Sequence, residues 1–161
     1  MTGKVTIIVG LPGSGKSHLI RKLRKRATGE CVEDFMAFSY DDSRRFTDSK
    51  HYPKLIRDLR KGRHSIIADI FFCDTALRDE AERVIQRDSP KSEIEWVYFE
   101  NDPKTCRKNA VRRNRIIVDH DLVMIGRLAT KYFVPEGISP IPVWGAKKTD
   151  ITNGRKKIRP S

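Results

Sequence analysis

The sequence predicts a three-layer α/β domain with a mainly parallel central sheet of four to five strands. The chain has 161 residues, a length that suits one domain with a sizeable core. Short β-branched runs alternate with segments of helical periodicity, which is the order expected when helices cover a parallel sheet. The first run, residues 5–9, is almost wholly apolar, as a strand buried on both faces would be. A glycine-rich loop then joins it to the first amphipathic segment.

The same periodicity predicts the remaining elements. Pro53 lies in the first turn of one helix, Asp74 or Thr75 can cap another, and residues 101–103 combine a cap with a first-turn proline. The predicted strands are 4–9, 35–40, 65–72 and 94–99, and the predicted helices are 16–26, 53–61, 75–87, 103–115 and 119–132.

The chain changes character after residue 134. Prolines and glycines recur between residues 135 and 145, where they break regular structure, and residues 147–161 are basic and poor in large apolar side chains. We therefore predict a main domain at 1–134 and a basic extension at 135–161 that either belongs to this domain or is flexible.

Composition indicates which class of binding partner and which cellular compartment to expect. The formal net charge is +12 and the pI is about 9.9, a balance that attracts polyanions, although a solvated surface is the alternative. No apolar stretch approaches the roughly 20 residues of a membrane span, and the N-terminus has no signal peptide pattern. Cys31, Cys73 and Cys106 have no zinc or redox spacing, which fits reduced thiols. We expect a cytoplasmic protein with no membrane partner.

The glycine-rich loop carries the strongest motif, Gly-Leu-Pro-Gly-Ser-Gly-Lys-Ser. It matches the phosphate-binding pattern G-x-x-x-x-G-K-[ST] in full and lies between a predicted strand and a predicted helix. Glycines let backbone N–H groups point inward at phosphate oxygens, and the helix N-terminus adds its dipole. Lys16 is predicted to reach the β and γ phosphates, and the Ser17 hydroxyl to ligate magnesium. The predicted ATP-binding residues in the loop are Gly10, Pro12, Gly13, Ser14, Gly15, Lys16 and Ser17.

The third predicted strand favours a kinase over a motor ATPase. Motor ATPases usually end a strand of four apolar residues in Asp-Glu, whereas here Asp69 is followed by Ile70. A domain that passes phosphate from ATP to a second substrate needs an acceptor base, arginines on the migrating group and a lid.

Carboxylates follow two of the predicted strands at the edge where parallel sheets place their chemistry. Asp41 and Asp42 follow the second strand, and Asp69 lies near the end of the third. Such a carboxylate can accept the proton of an attacking hydroxyl, although Asp41 and Asp42 can equally cap the next helix. Asp69 is predicted to contact substrate or a catalytic arginine, with orientation of the phosphate loop as its alternative.

A cationic helix is the candidate lid. Its five basic residues repel one another unless anions neutralise them, and the phosphates of ATP and of a substrate would do so. Positions 108 and 112 share a face. The alternative is a solvated basic surface. The cations are Arg107, Lys108, Arg112, Arg113 and Arg115.

With these residues in place, the chain resembles the kinase domain of the bacteriophage polynucleotide 5′-hydroxyl kinase family over about residues 4–133. The segments that carry the resemblance are the loop at 10–17, Asp-Asp-Ser-Arg at 41–44 and Lys-Asn-Ala-Val-Arg at 108–112. The resemblance implies that Asp41 is the general base and that Arg44 holds the acceptor's phosphate. It also implies that Arg112 contacts the donor phosphates and that Asp69 and Lys108 bind substrate.

This chain departs from that family's pattern at two places. Ile70-Phe71 follows Asp69 where the family has Thr-Asn, and Lys108 replaces an arginine. The hypothesis is therefore an ATP- and magnesium-dependent kinase acting on a nucleic-acid hydroxyl, with the 5′ end of DNA or RNA as leading acceptor. The alternatives are a kinase of a nucleotide, modified base or small metabolite on the same fold, and a nucleic-acid-binding ATPase module.

Overall fold

The computed structural model describes residues 2–37, 45–113 and 116–145. Strands and helices alternate along most of this chain. The strands are β1 (Lys4–Val9), β2 (Cys31–Val32), β3 (His64–Ala68) and β4 (Glu93–Tyr98), and the helices are α1 (Lys16–Leu23), α2 (Tyr52–Arg60), α3 (Thr75–Asp88), α4 (Pro103–Arg113) and α5 (Val118–Ala129). Short 3-10 turns cover Arg24–Arg26, Phe46–Asp48 and Ile70–Cys73.

The sheet confirms the predicted fold class. Its four strands lie in the order β2-β3-β1-β4, and every pairing between them is parallel. β1 is central, and successive side chains of a strand face opposite ways. Ile8 packs with Ile20 of α1 in a smaller core, whereas Val5 and Ile7 belong to a larger core to which α2, α3, α4 and α5 contribute. The strand that leads into the phosphate loop is therefore buried on both faces.

The second strand was predicted in the wrong place. The structure has β2 at Cys31–Val32, and residues 35–37 form a turn; residues 38–40 lie outside the described residues. Phe35 is fully buried because it stacks on Phe46, with ring centroids 4.8 Å apart, and lies near Phe72. The apolar residues that predicted a strand at 35–40 therefore belong in part to an aromatic cluster.

The other predicted elements lie within a few residues of the observed ones. The third strand ends at Ala68, four residues before its predicted end, because the Asp69 side chain caps the 3-10 turn that follows. Asp74 caps α3 as expected, by accepting a hydrogen bond from the Ala76 N–H. No helix in the described part of the chain is long and apolar enough to cross a membrane.

Ile141 and its neighbours lie against the sheet edge. Ile141 forms a parallel bridge with Phe99, just beyond β4. Its N–H donates to the Tyr98 carbonyl at 2.8 Å, and its carbonyl accepts from the Glu100 N–H at 2.8 Å. This part of the predicted extension thus lies on the main domain, and its contact brings the next few residues to the phosphate loop.

Candidate active site

The loop between β1 and α1 has a backbone shape that only glycine allows at two positions. Gly13 and Gly15 have φ values of 83° and 112°, in the left-handed region. A Cβ on Gly13 would lie 2.6 Å from the Cys106 carbonyl oxygen, and one on Gly15 would lie 2.7 Å from the Cβ of Trp144. The motif glycines are therefore required by the loop's shape and by the segments packed on it.

Lys16, at the start of α1, points back into this loop. Its Nζ donates to the carbonyls of Gly10 at 2.9 Å and Leu11 at 2.8 Å, and lies 3.4 Å from the Ser14 hydroxyl. Desolvation by burial lowers the pKa of Lys16, and no carboxylate among the described residues lies within ion-pair distance. A desolvated cation bonded to neutral carbonyls is suited to donate to phosphate oxygens in their place.

Two cavities meet at the loop. The first has a volume of about 370 Å³ and lies between the loop, the segment after β2 and the start of α5. The second, of about 400 Å³, lies between α1, α4 and residue 144. The first is lined by Pro12, Gly13, Gly15, Lys16, Ser17, Glu33, Asp34, Ile70, Arg113, Ile117, His120 and Asp121, and the second by Gly13, Gly15, Ser17, His18, Arg21, Asn109, Arg112, Arg113 and Trp144.

Ser17 lines both cavities from the first turn of α1, where its side chain is exposed. A hydroxyl at this position, beside Lys16 and the glycine cradle, fits the site of a phosphate-bound magnesium ion. No group of three or more His, Cys, Asp or Glu side chains in the described residues could hold a metal by itself. Ser17 would therefore be one ligand of such an ion, and the phosphates themselves would supply others.

Asp69 lies at the carboxyl end of β3, beside β1, and is 4% exposed. One carboxylate oxygen accepts from the Phe71 N–H at 2.8 Å, and the other accepts from the Met36 N–H at 2.7 Å. Burial raises the pKa of Asp69 to about 6, although the two hydrogen bonds oppose this shift. Asp69 is not among the residues that line the two cavities, so in this structure it fixes the backbone beside the first cavity, and its contact with substrate stays a prediction.

Asn109, on α4, joins three parts of the site. Its side-chain N–H₂ group donates to the Gly13 carbonyl at 2.8 Å and to the Trp144 carbonyl at 2.5 Å. The Trp144 N–H in turn donates to the Ser14 carbonyl at 2.8 Å. The phosphate loop is therefore tied to the candidate lid helix and to the C-terminal segment by three hydrogen bonds.

Trp144 also forms one wall of the second cavity. Its ring lies on that of His18, with centroids 4.1 Å apart and an interplanar angle of 35°, and the residue is 56% exposed. An exposed aromatic surface beside a phosphate site suits a planar nucleobase. Trp144 lies in a proline-rich stretch far from the loop in sequence, and no sequence motif points to it.

The predicted cations separate in the structure. Arg112 lines the second cavity, and Arg113 lines both. Lys108 is exposed on α4 and is not among the lining residues. Arg115 lies outside the described residues, as do Asp41, Asp42 and Arg44, so the predicted base and phosphate clamp stay predictions.

A family model described as an AAA domain matches residues 5–124, which include most of β1, the phosphate loop and most of α5. The chain belongs to this AAA domain family. The family consists of P-loop nucleotide-binding domains and includes kinases, so the AAA domain described here is a nucleotide-binding module of kinase or ATPase type. The comparison does not extend to an acceptor.

Two individual proteins are similar to this AAA domain. An uncharacterized protein of Acanthamoeba polyphaga mimivirus is 27% identical over 116 residues, which are 71% of this chain and 75% of that protein. The crystal structure of an uncharacterized protein from Eubacterium ventriosum aligns over 98% of this chain and 96% of its own, at 14% identity and a TM-score of 0.46.

Proposed function

We propose that this protein is an ATP-dependent kinase that transfers the γ-phosphate to a hydroxyl of a nucleic acid, with the 5′-hydroxyl end of DNA or RNA as its acceptor. The observation that carries the proposal is the meeting of two cavities at the phosphate loop, with Gly13, Gly15, Ser17 and Arg113 common to both. Hydrolysis needs room for a nucleotide and a water molecule, whereas transfer to a second substrate needs two spaces that join at the phosphate.

The second cavity fits the donor nucleotide. The Trp144 and His18 rings offer a surface for the base, and Arg112 offers a cation for the phosphates. Lys16 lines the first cavity, at the loop where the two cavities meet. Ser17 would hold a magnesium ion, which would supply positive charge to neutralise the phosphates. If the base stacks on Trp144, ATP should quench the fluorescence emission of Trp144, measured in a Trp96→Phe background. The Trp144→Leu variant should bind ATP several-fold more weakly.

The first cavity fits the acceptor. It reaches Lys16 and Ser17 and is bounded by residues 33–34, which precede the segment containing Asp41 and Arg44. By the family resemblance, Asp41 would take the hydroxyl proton and Arg44 would hold the adjoining phosphate. The net charge of +12 supports a polyanionic acceptor, since long-range attraction speeds its capture.

Product analysis tests the proposal in one assay. The protein is incubated with γ-labelled ATP and 5′-hydroxyl DNA or RNA oligonucleotides, and label on the oligonucleotide is counted against label released as phosphate. We expect transfer to the oligonucleotide, its loss in Asp41→Asn and its retention in the neighbouring control Asp42→Asn. Release of phosphate to water alone, stimulated by nucleic acid, would identify an ATPase module instead.

A small hydroxylated acceptor is the second candidate, and the lining of the first cavity favours it. Glu33, Asp34 and Asp121 all line this cavity, and carboxylates accept hydrogen bonds from hydroxyl groups but repel phosphates. This candidate predicts label on free nucleosides or sugars at a rate that moderate salt leaves unchanged. A nucleic-acid acceptor predicts a rate that falls as salt rises.

A further inference from the structure

Arg113 has a different position from the arginine that the sequence singled out. It is the last residue of α4 and lines both cavities, whereas Arg112 lines the second cavity with Trp144 and His18. The place where the two cavities join is where a transferred phosphate must lie. Arg113 therefore lies beside the terminal phosphate position, and Arg112 lies towards the rest of the nucleotide.

The charge of Arg113 reaches Lys16. Burial is the main cause of the lowered pKa of Lys16. The Arg113 guanidinium acts in the same direction, and Cys73, Cys106 and Asp69 oppose it. Two cations that face the same space repel each other until an anion enters between them. The terminal phosphate carries more charge than an inner one, so it gains most from this pair.

Asp121 on α5 pairs with Arg113, and both residues line the first cavity. α4 and α5 pack together, and Nη2 of Arg113 lies 3.7 Å from Oδ2 of Asp121. The Asp121 side chain is 9% exposed, and within the described residues its Oδ2 accepts no hydrogen bond. The contact is thus an ion pair that is longer than a hydrogen bond. Within the described residues it does not use the other N–H donors of the guanidinium, which can bind a ligand.

We propose that Arg113 binds the γ-phosphate of the nucleoside triphosphate and that Asp121 is the residue that positions it. Arg112 then binds phosphates that ATP and ADP share. The inference rests on the proposed function, because it takes the junction of the two cavities as the position of the transferred phosphate, whereas its test needs only nucleotide binding at the loop.

Equilibrium binding of ATP and of ADP, each with magnesium, tests the two arginines against each other. Arg113→Gln should weaken the binding of ATP by about tenfold or more and leave the Kd for ADP within about twofold of the parent value, because a charge-assisted bidentate contact is lost only with ATP. Arg112→Gln should weaken ATP and ADP alike. Arg127→Gln is the matched control, because Arg127 is exposed on α5 and is not among the lining residues. Equal weakening of both nucleotides by Arg113→Gln, or unchanged ATP binding, would overturn the assignment.

The positioning role of Asp121 predicts coupling between the two residues. Asp121→Asn keeps the size of the side chain and should weaken the binding of ATP by about threefold, with the binding of ADP unchanged. The double variant, Asp121→Asn with Arg113→Gln, should bind ATP no more weakly than Arg113→Gln alone. A purely structural role would weaken ATP and ADP together and lower Tm. Tighter ATP binding in Asp121→Asn would show that the carboxylate competes with phosphate for Arg113, which contradicts the proposal.

Arg113→Lys keeps the charge but loses the planar fork, and it tests the assignment without altering the buried carboxylate. It should retain part of the ATP preference, and a full ATP-to-ADP ratio in this variant would contradict bidentate binding. None of these measurements includes an acceptor. Loss of the ATP preference in Arg113→Gln therefore stands even if no oligonucleotide is phosphorylated, and label transfer can succeed even if Arg113 proves unimportant.

Discussion

Replacing Asn109 by alanine should weaken ATP binding through the shape of the phosphate loop. The substitution removes two side-chain hydrogen bonds, to the carbonyls of Gly13 and Trp144. Each such bond contributes about 1 kcal/mol. The sum of about 2 kcal/mol corresponds to about a 30-fold change in an equilibrium constant. Water can reach the freed carbonyls in part, so we expect the Kd for ATP to rise by about 3- to 30-fold.

The chain offers a matched control for this substitution. Asn101 also donates through its side-chain N–H₂ group to two carbonyls, those of Ala129 at 2.9 Å and Tyr132 at 3.1 Å, but does not line either cavity. Asn101→Ala should lower Tm by a similar amount and leave the Kd for ATP unchanged. Calorimetric titration measures the Kd and thermal unfolding measures Tm. An Asn109→Ala protein that is folded and binds ATP within twofold of the parent protein would refute the argument.

Three further predictions concern the loop, the buried carboxylate beside it and the core. Gly13→Ala should abolish ATP binding, because its Cβ would lie 2.6 Å from the Cys106 carbonyl oxygen. Gly126→Ala has no atom within 4 Å of its added Cβ and should stabilise α5 by about 0.5–1 kcal/mol. Nucleotide titration and thermal unfolding check both substitutions. The raised pKa of Asp69, about 6, means that its contribution to stability is fully present below its unfolded pKa and is lost as pH rises through about 6. The slope of unfolding free energy between pH 5 and 7 should therefore be less negative in Asp69→Asn, and equal slopes would contradict this. Asp58 is fully buried and pairs with the half-exposed cations Lys54 and Arg63. Asp58→Ala should therefore lower the free energy of unfolding, measured in urea, by about 2–3 kcal/mol. A loss below about 0.5 kcal/mol would show that the two ion pairs are unimportant.

Local signals made most of the fold predictable. The continuous apolarity of β1 and the capping residue Asp74 act through neighbours in sequence, and the structure has both elements where these signals place them. The error at 35–40 has a nonlocal cause. Phe35 is buried by contact with Phe46 and Phe72, so its apolarity carried no information about the strand at Cys31–Val32.

The candidate site divides in the same way. The phosphate loop could be read directly, because its conformation depends on glycines at fixed spacing and on the strand and helix that flank it. Trp144 could not, since its place depends on the bridge between Ile141 and Phe99, which no local pattern encodes. The family resemblance predicted the lid helix and implied that Arg112 contacts the donor phosphates. It did not predict the position of Arg113, because that position depends on the packing of α4 on α5.

The hydrogen bond from Trp144 to Ser14 has a consequence for the order in which the protein assembles. A ribosome makes the phosphate loop before the helices that pack on it, whereas Trp144 leaves the exit tunnel only after every described strand and helix has been made. Contacts between distant parts of a chain form late, because closing the long loop between them costs entropy. The nascent chain should therefore acquire affinity for ATP in one late step, and a stalled chain that ends before residue 144 should hold a folded sheet with an unfinished nucleotide site.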